Sequence, residues 1–342
     1  MQSILGLNLE ELGKVLEDWG QPRFRAGQIF SWIYKKRVAD FDAMSDLPQE
    51  LRRLLKDNFR LFVLKPVKAL KSRDGTEKFV FGLDDGNFIE TVSIPAQKRV
   101  TVCLSTQVGC KFGCFFCASG VMGFKRNLTS AEIIGQVVYL NNDSADKKIT
   151  HLVFMGIGEP LDNYDNVMKA IRIINSPQGL NIGARRITVS TCGIIPAIKK
   201  LAGEGLQIEL SVSLHAPDDK TRTALMPANK AYSLKDLIVA CREYIERTNR
   251  QITFEYILVK GVNSDLPKAV KLSTILKGLN CKVNLIPSNY VPDRKIEPPA
   301  RKEILLFRDS LLRQGINVTL RRPRGDDINA ACGQLRLGYE KK

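Results

Sequence analysis

The chain has 342 residues, 44% of them hydrophobic and 26% charged; at roughly 100–200 residues per domain this allows two or three domains around a large core and excludes disorder as the dominant state. Fifty-two Lys and Arg against 36 Asp and Glu leave a net charge of +16. That is more than small-metabolite chemistry needs and suits a polyanionic partner, because each neutralised phosphate releases counterions.

The first residues, MQSILGLNLEELGKVLEDWG, lack the basic head and apolar run of a signal peptide. No apolar run reaches the roughly 18 residues of a membrane span, so a cytoplasmic protein with no membrane partner is expected. Residues 8–19 have helical periodicity with Asn8 as N-cap, residues 22–35 carry a second apolar stripe, and residues 48–58 follow a Pro48 start signal. Residues 77–83 and 88–94 flank Asp84-Asp85-Gly86 as a hairpin. The chain therefore divides into residues 1–85, a small helical accessory domain ending in the start of the hairpin, and residues 86–342. The helical part is a packing cap or a nucleic-acid platform.

Beyond residue 99 the pattern alternates. Strand-like runs at 99–104, 151–155, 186–190, 207–214, 252–258, 282–286 and 317–321 are separated by helix-like runs at 130–140, 163–175, 195–202, 234–248, 266–276 and 300–314. This predicts an α/β fold of about six strand–helix units, a barrel or partial barrel with its chemistry at the carboxyl ends of the strands.

Eight cysteines are present and only two histidines, His151 and His215, and a disulfide framework is not expected in such a chain. Cys110-Lys-Phe-Gly-Cys114-Phe-Phe-Cys117 places three thiols in one loop after a strand, with Gly109 and Gly113 to let it bend and Phe112, Phe115 and Phe116 to keep water out. Thiolates are soft ligands for iron–sulfur or zinc. Three of them on a [4Fe–4S] cluster leave one iron open, whereas structural zinc wants four ligands. Zinc with Cys103 as the fourth, or buried core thiols, are the alternatives.

The C-x3-C-x-aromatic-C spacing resembles the signature of the radical S-adenosylmethionine superfamily. The resemblance continues in order through Gly158-Glu159 of FMGIGEP, Ser190 of VSTCG, Ser213-Leu214-His215, and Asn289 of IPSNY. It implies that Cys110, Cys114 and Cys117 hold a [4Fe–4S] cluster and that these other residues contact S-adenosylmethionine. At the C-terminus, RRPRGDDINAACGQL resembles the RlmN family, as do the segments from Glu90 to Gly109, at Lys125-Arg-Asn-Leu and at Ile133-Ile-Gly-Gln-Val.

Membership would imply a radical enzyme that methylates C2 of an adenosine in 23S rRNA and in tRNA, with an electron donor such as flavodoxin or ferredoxin. Adenine C2 is not nucleophilic, so the family's route spends two S-adenosylmethionine molecules. One methylates the thiol matching Cys332. The second yields a radical that activates this methyl for addition to C2, and Cys103 resolves the transient protein–RNA crosslink through a disulfide with Cys332. Glu90 matches the family's proton acceptor, and Cys103 is the other choice for that role. Residues 86–342 would then be the radical barrel with the carrier-cysteine segment.

Arg321, Arg322 and Arg324 would favour the Cys332 thiolate or grip phosphate. The basic clusters at 65–73, 185–186 and 321–324 are candidate RNA contacts, and Cys192, Cys241 and Cys281 are read as core. Two other functions stay open: the sister activity at C8 of the same rRNA adenosine, linked to antibiotic resistance, and a non-catalytic iron–sulfur RNA-binding protein.

Overall fold

A computed structural model describes residues 1–143, 148–289 and 296–335. The amino-terminal region is helical: α1 (Leu9–Asp18), α2 (Arg25–Phe30) and α3 (Gln49–Asn58), tied at its ends by the parallel pair β1 (Gln2–Ser3) and β2 (Phe59–Arg60). Asn8 begins α1 with a reciprocal cap: its side chain accepts from the Glu11 N–H at 2.9 Å, and the Glu11 carboxylate accepts from the Asn8 N–H at 2.8 Å, which satisfies two otherwise orphaned donors. The second stripe is one helix only to Phe30; residues Ser31–Lys35 continue it as a wider π turn.

The rest is organised by a ten-stranded mixed sheet. Strands β3 (Lys65–Lys71), β4 (Glu77–Gly82), β5 (Phe88–Ala96) and β6 (Arg99–Cys103) form an antiparallel meander at one side. A separate ribbon of β7 (Gln107–Gly109) and β8 (Phe124–Asn127) follows. The chain then runs α4 (Ser130–Asp143), β9 (His151–Phe154), α5 (Tyr164–Asn175), β10 (Ile187–Thr191), α6 (Ile195–Leu201), β11 (Glu209–Ser213), α7 (Asp219–Leu225) and α8 (Leu234–Thr248). It ends in β12 (Ile252–Leu258), α9 (Leu266–Leu276), β13 (Cys281–Pro287), α10 (Arg301–Arg313) and β14 (Asn317–Leu320). Strands β6 and β9 to β14 are parallel neighbours in chain order. Such crossovers are right-handed, so helices joining strands in sequential order gather on one face of the sheet.

The strand sequences say which face. Val102, Leu152, Val189, Leu210, Phe254 and Val283 are fully buried in the core. The residues between them, Thr101, Val153, Thr188, Ser211, Thr253 and Asn284, line a cavity. A sheet covered on both faces would carry near-continuous apolar runs instead. Cys241 and Cys281 fall on the buried side, as the sequence suggests.

The basic run at 65–73 is largely strand β3, which sequence periodicity does not announce because nearly every residue is exposed. It is the edge of the sheet, and its three lysines, Pro66 and a register shift between Pro66 and Lys68 are features that keep an edge from pairing with another chain. The turn at Asp84–Gly86, where sequence divides the chain, joins two paired strands of this sheet; Phe81 of β4 packs edge-on against Tyr139 of α4 with centroids 4.9 Å apart. Phe254 is fully buried beneath the helices. Phe254→Ala should lower the urea midpoint by an amount equivalent to about 3–5 kcal/mol, read by circular dichroism.

Candidate active site

The cysteine loop leaves the β7–β8 ribbon at a point where only glycine fits: a Cβ on Gly109, at φ +74°, would fall 1.7 Å from the Gly123 carbonyl oxygen. Cys110 then donates its N–H to that carbonyl at 2.9 Å. Cys110, Cys114 and Cys117 all line one cavity of about 160 Å³. Phe112, Phe115 and Phe116 pack against Leu225, Met226 and Ala228, and Phe115 donates to the Leu225 carbonyl at 2.9 Å. Helix α7, which ends at Leu225, is short and is the one crossover helix that periodicity misses.

Burial pushes the Cys110 thiol up to about 12 and the Cys114 thiol well above its ordinary value, with the neighbouring thiols adding to both. Such thiols ionise when a soft cation takes the proton's place. Among the described residues, no three His, Cys, Asp or Glu side chains converge on a single ion; the three thiols share a cavity wall. Cys103 belongs to a different cavity, so zinc with Cys103 as fourth ligand has no built site. A cluster that spans several thiols fits this donor set.

The FMGIGEP segment crosses the strand ends at very close range. A Cβ on Gly156 would meet the Leu104 carbonyl oxygen at 2.6 Å, and one on Gly158, at φ +104°, would meet Gln107 Cβ at 2.6 Å. Glu159 is buried beside the thiols. One carboxylate oxygen accepts from the Cys192 N–H at 2.7 Å and the other from the Leu161 N–H at 3.1 Å. Burial raises its proton affinity, and these donors pull it back down.

Ser190, Ser213 and His215 line the same cavity. His215 has φ +58°, stands edge-on to Phe116 with centroids 4.5 Å apart, and accepts from the Ile257 N–H through Nδ1 at 3.0 Å. Burial, with Arg222 nearby, lowers its pKa to about 3, so the ring is neutral. Leu214 does not join them: its side chain is fully buried in the core, because residues alternate faces along a strand, and its carbonyl accepts from Arg222.

Cys192 is buried in an apolar cluster with Leu225, Met226 and Ala228, as the sequence suggests. It also lines the cofactor cavity beside the cluster thiols, since it stands just past the carboxyl end of β10 rather than within the strand. Arg222 is a residue the sequence does not flag. It is fully buried and donates to the carbonyls of Leu214 (3.2 Å), Cys192 (2.8 Å) and Ser213 (3.1 Å) and to the Asn229 side chain (2.7 Å). It thus braces the ends of β10 and β11 behind Cys114. A lone arginine in the stretch DKTRTAL offers no pattern by which to find it.

A second cavity, of about 780 Å³, occupies the open face of the sheet. Cys332 lines both cavities, as do Glu255 and Arg321, so this thiol stands where the two meet. Asn289 lines the larger cavity and donates to the Cys332 carbonyl at 3.0 Å. Gly333, at φ +79°, lets its own carbonyl accept from the Ala118 N–H at 2.7 Å, next to the cysteine loop. Cys103 lines the larger cavity, and burial together with Cys332 pushes its thiol up to about 12. The Arg321 guanidinium is held charged by Cys332, Glu255 and Cys103. All eight cysteines are free thiols, so the Cys103–Cys332 disulfide that the family resemblance implies is not formed here.

Glu90 borders neither cavity. It is buried on β5, and its carboxylate pairs with Lys78 at 3.3 Å. Arg185, Arg322 and Arg324 surround the larger cavity, which brings two of the three basic clusters to one mouth.

The model of the radical SAM superfamily matches residues 104–272, and that of the ribosomal RNA large subunit methyltransferase N-terminal domain matches residues 2–61. A probable dual-specificity RNA methyltransferase RlmN from Geobacillus kaustophilus is 51% identical over 100% of this chain and 94% of its own length. Its namesake from Bacillus cereus is 50% identical over 99% and 94%. The chain belongs to the RlmN family. A crystal structure of a radical SAM methyltransferase from Sphaerobacter thermophilus superposes with a TM-score of 0.95 at 46% identity, covering 98% of this chain and 99% of that one. As an RlmN-family member with a radical SAM region, the chain uses a [4Fe–4S] cluster and S-adenosylmethionine. No described helix is long and apolar enough to cross a membrane.

Cys114→Ala should cost the reconstituted protein its cluster iron while leaving its far-ultraviolet circular dichroism intact. Full iron content and an unchanged visible absorption band would remove the cysteine loop as the ligand set.

Proposed function

We propose that this chain methylates C2 of an adenosine in 23S rRNA and in tRNA, by way of a methylated Cys332 and a transient protein–RNA crosslink. The observation that carries this reading is the place of Cys332, between a small cavity walled by three thiols and a larger one rimmed with arginine. A methyl carrier must visit both a sulfonium donor and a nucleobase. A single residue on the shared wall does so with little movement.

In this reading Cys110, Cys114 and Cys117 hold the cluster, which supplies the electron that splits S-adenosylmethionine. Glu159, with Gly158 giving its backbone room, takes the amino group of that molecule. Ser190, Ser213 and His215 and the Leu214 backbone position the rest of it. Asn289 holds the Cys332 segment through its carbonyl and is assigned a contact with the donor by its match to the family motif. Arg321 stands with Cys332 where the two cavities meet; a thiolate is the form that can accept a methyl group. Glu90 or Cys103 takes the C2 proton, and Cys103 resolves the crosslink by attacking the Cys332 sulfur: the S–S bond forms, the bond from sulfur to the transferred carbon breaks, and its electron pair stays on the nucleotide, where a proton completes the methyl group.

The seven parallel strands in chain order curve as a partial barrel of six strand–helix units. Its open face admits one base, taken out of its stack or presented in a loop. Residues 1–85 are the accessory region and 86–342 the catalytic region. The basic rim meets the RNA backbone, and a flavodoxin or ferredoxin reduces the cluster.

The test is to incubate the anaerobically reconstituted enzyme, S-adenosylmethionine and a reductant with deproteinised rRNA and with tRNA, then digest to nucleosides for mass spectrometry. 2-Methyladenosine is expected from both RNAs. 8-Methyladenosine would assign the sister activity, and an intact cluster without 5′-deoxyadenosine would assign a non-catalytic RNA-binding role. Cys332→Ala should abolish both RNA methylation and the protein-bound methyl group. Cys103→Ala should let a covalent RNA adduct accumulate on denaturing gels; rapid release from that variant would contradict the resolving role.

A further inference from the structure

We propose that Lys78 is a positioning residue that keeps the proton-accepting carboxylate and the methyl-carrying segment in one register, by bonding Glu90 and the Asn329 carbonyl with a single ammonium. The inference rests on the reading above, in the branch where Glu90 rather than Cys103 takes the C2 proton and Cys332 carries the methyl.

Lys78 sits on β4 among Phe79, Val80 and Phe81 and is 5% exposed. Its Nζ lies 3.3 Å from Glu90 Oε1 and donates to the Asn329 carbonyl at 3.0 Å. Removing an ammonium and a carboxylate from water is unfavourable unless the geometry is good and the remaining donors are used. Hydrophobic residues would serve a merely structural role at this position at least as well. The sheet register explains the reach. Lys78 is paired with Val92, and Val92 with Cys103, while Glu90 is paired with Val80. The ammonium, the carboxylate and the resolving thiol thus share one face of three neighbouring strands.

The carrier segment lies over that face. Its start is gripped by the β3–β4 turn: the Ser72 hydroxyl donates to Asp327 at 2.6 Å, and the Gly325 N–H donates to Asp74 at 3.1 Å. Asn329, in the left-handed region at φ +50°, then presents its carbonyl to Lys78 three residues before Cys332. Wherever the carrier segment goes, Lys78 couples it to the Glu90 carboxylate. No bond-making step is added; Lys78 keeps its proton throughout.

The experiment compares Lys78→Met, Lys78→Arg, Glu90→Gln and the Lys78→Met/Glu90→Gln double variant as cluster-loaded enzymes with tRNA. It follows 2-methyladenosine, 5′-deoxyadenosine and gel-shifted RNA adduct. Loss of a charge-assisted hydrogen bond predicts that Lys78→Met lowers 2-methyladenosine formation roughly tenfold or more and lengthens the life of the adduct. Lys78→Arg, which keeps the charge, should recover most of the product. The double variant should be no worse than the poorer single one, because groups acting as a unit are non-additive. Additive losses, or equal losses in Lys78→Met and Lys78→Arg without adduct, would overturn the coupling. If Lys78→Met fails to fold, the comparison of Lys78→Arg with Glu90→Gln decides by the same adduct lifetime. A wild-type enzyme that makes no 2-methyladenosine would instead overturn the proposed function itself.

Discussion

The site depends on how residues 325–335 are held against the mouth of the sheet. Close to Cys332 the segment is held through its carbonyls: that of Cys332 accepts from Asn289, that of Gly333 from Ala118 and that of Asn329 from Lys78. These bonds fix the path of the segment, and among the described residues none of its hydrogen bonds is made by the Cys332 sulfur. Under the proposed function this suits a carrier, whose side chain changes chemical state while the path of its backbone is held. Side-chain hydrogen bonds to the sulfur would have to be broken and remade at each step.

Around this segment the molecule tolerates several buried charges. Arg222 is satisfied mainly by carbonyls at the ends of β10 and β11, Arg321 by proximity to thiols and Glu255, and Lys78 by Glu90. Each would be costly in an ordinary core. They cluster at the carboxyl ends of the parallel strands and on the adjoining meander, where a polar cavity face is already present. The opposite face, under the helices, carries the main apolar core. Stability and chemistry are thereby assigned to opposite sides of the same strands.

Much of this was legible in residue order. Alternating strand and helix patterns located all seven parallel strands, because each strand needs large apolar residues under its helix and small polar ones facing the cavity. The Asn8 cap was readable because Glu11 stands three residues on. The cysteine loop and the FMGIGEP turn were readable because their spacing is local. What escaped was short, exposed or remote: β3 has no buried face, α7 is only seven residues long, and Arg222 acts through carbonyls brought from two strands. Cys192 and Leu214 show a related limit: the first is a core residue that also walls the cofactor cavity, the second a motif residue whose side chain goes to the core. Side-chain direction reverses at each residue, so neighbours in a motif can serve the site and the core in turn.

The sequence by itself determined the family, the cofactor-binding loops and the order of the sheet, since these follow from local spacing, glycine at strained positions and the period of apolar residues. Only the tertiary structure decided that Cys332 stands on the wall between two cavities, that Cys103 lies in the larger one while Cys192 lies with the cluster thiols, and that Glu90 is reached through Lys78. Those relations join residues up to some 250 positions apart, and no local pattern encodes which strand faces will meet when the chain folds.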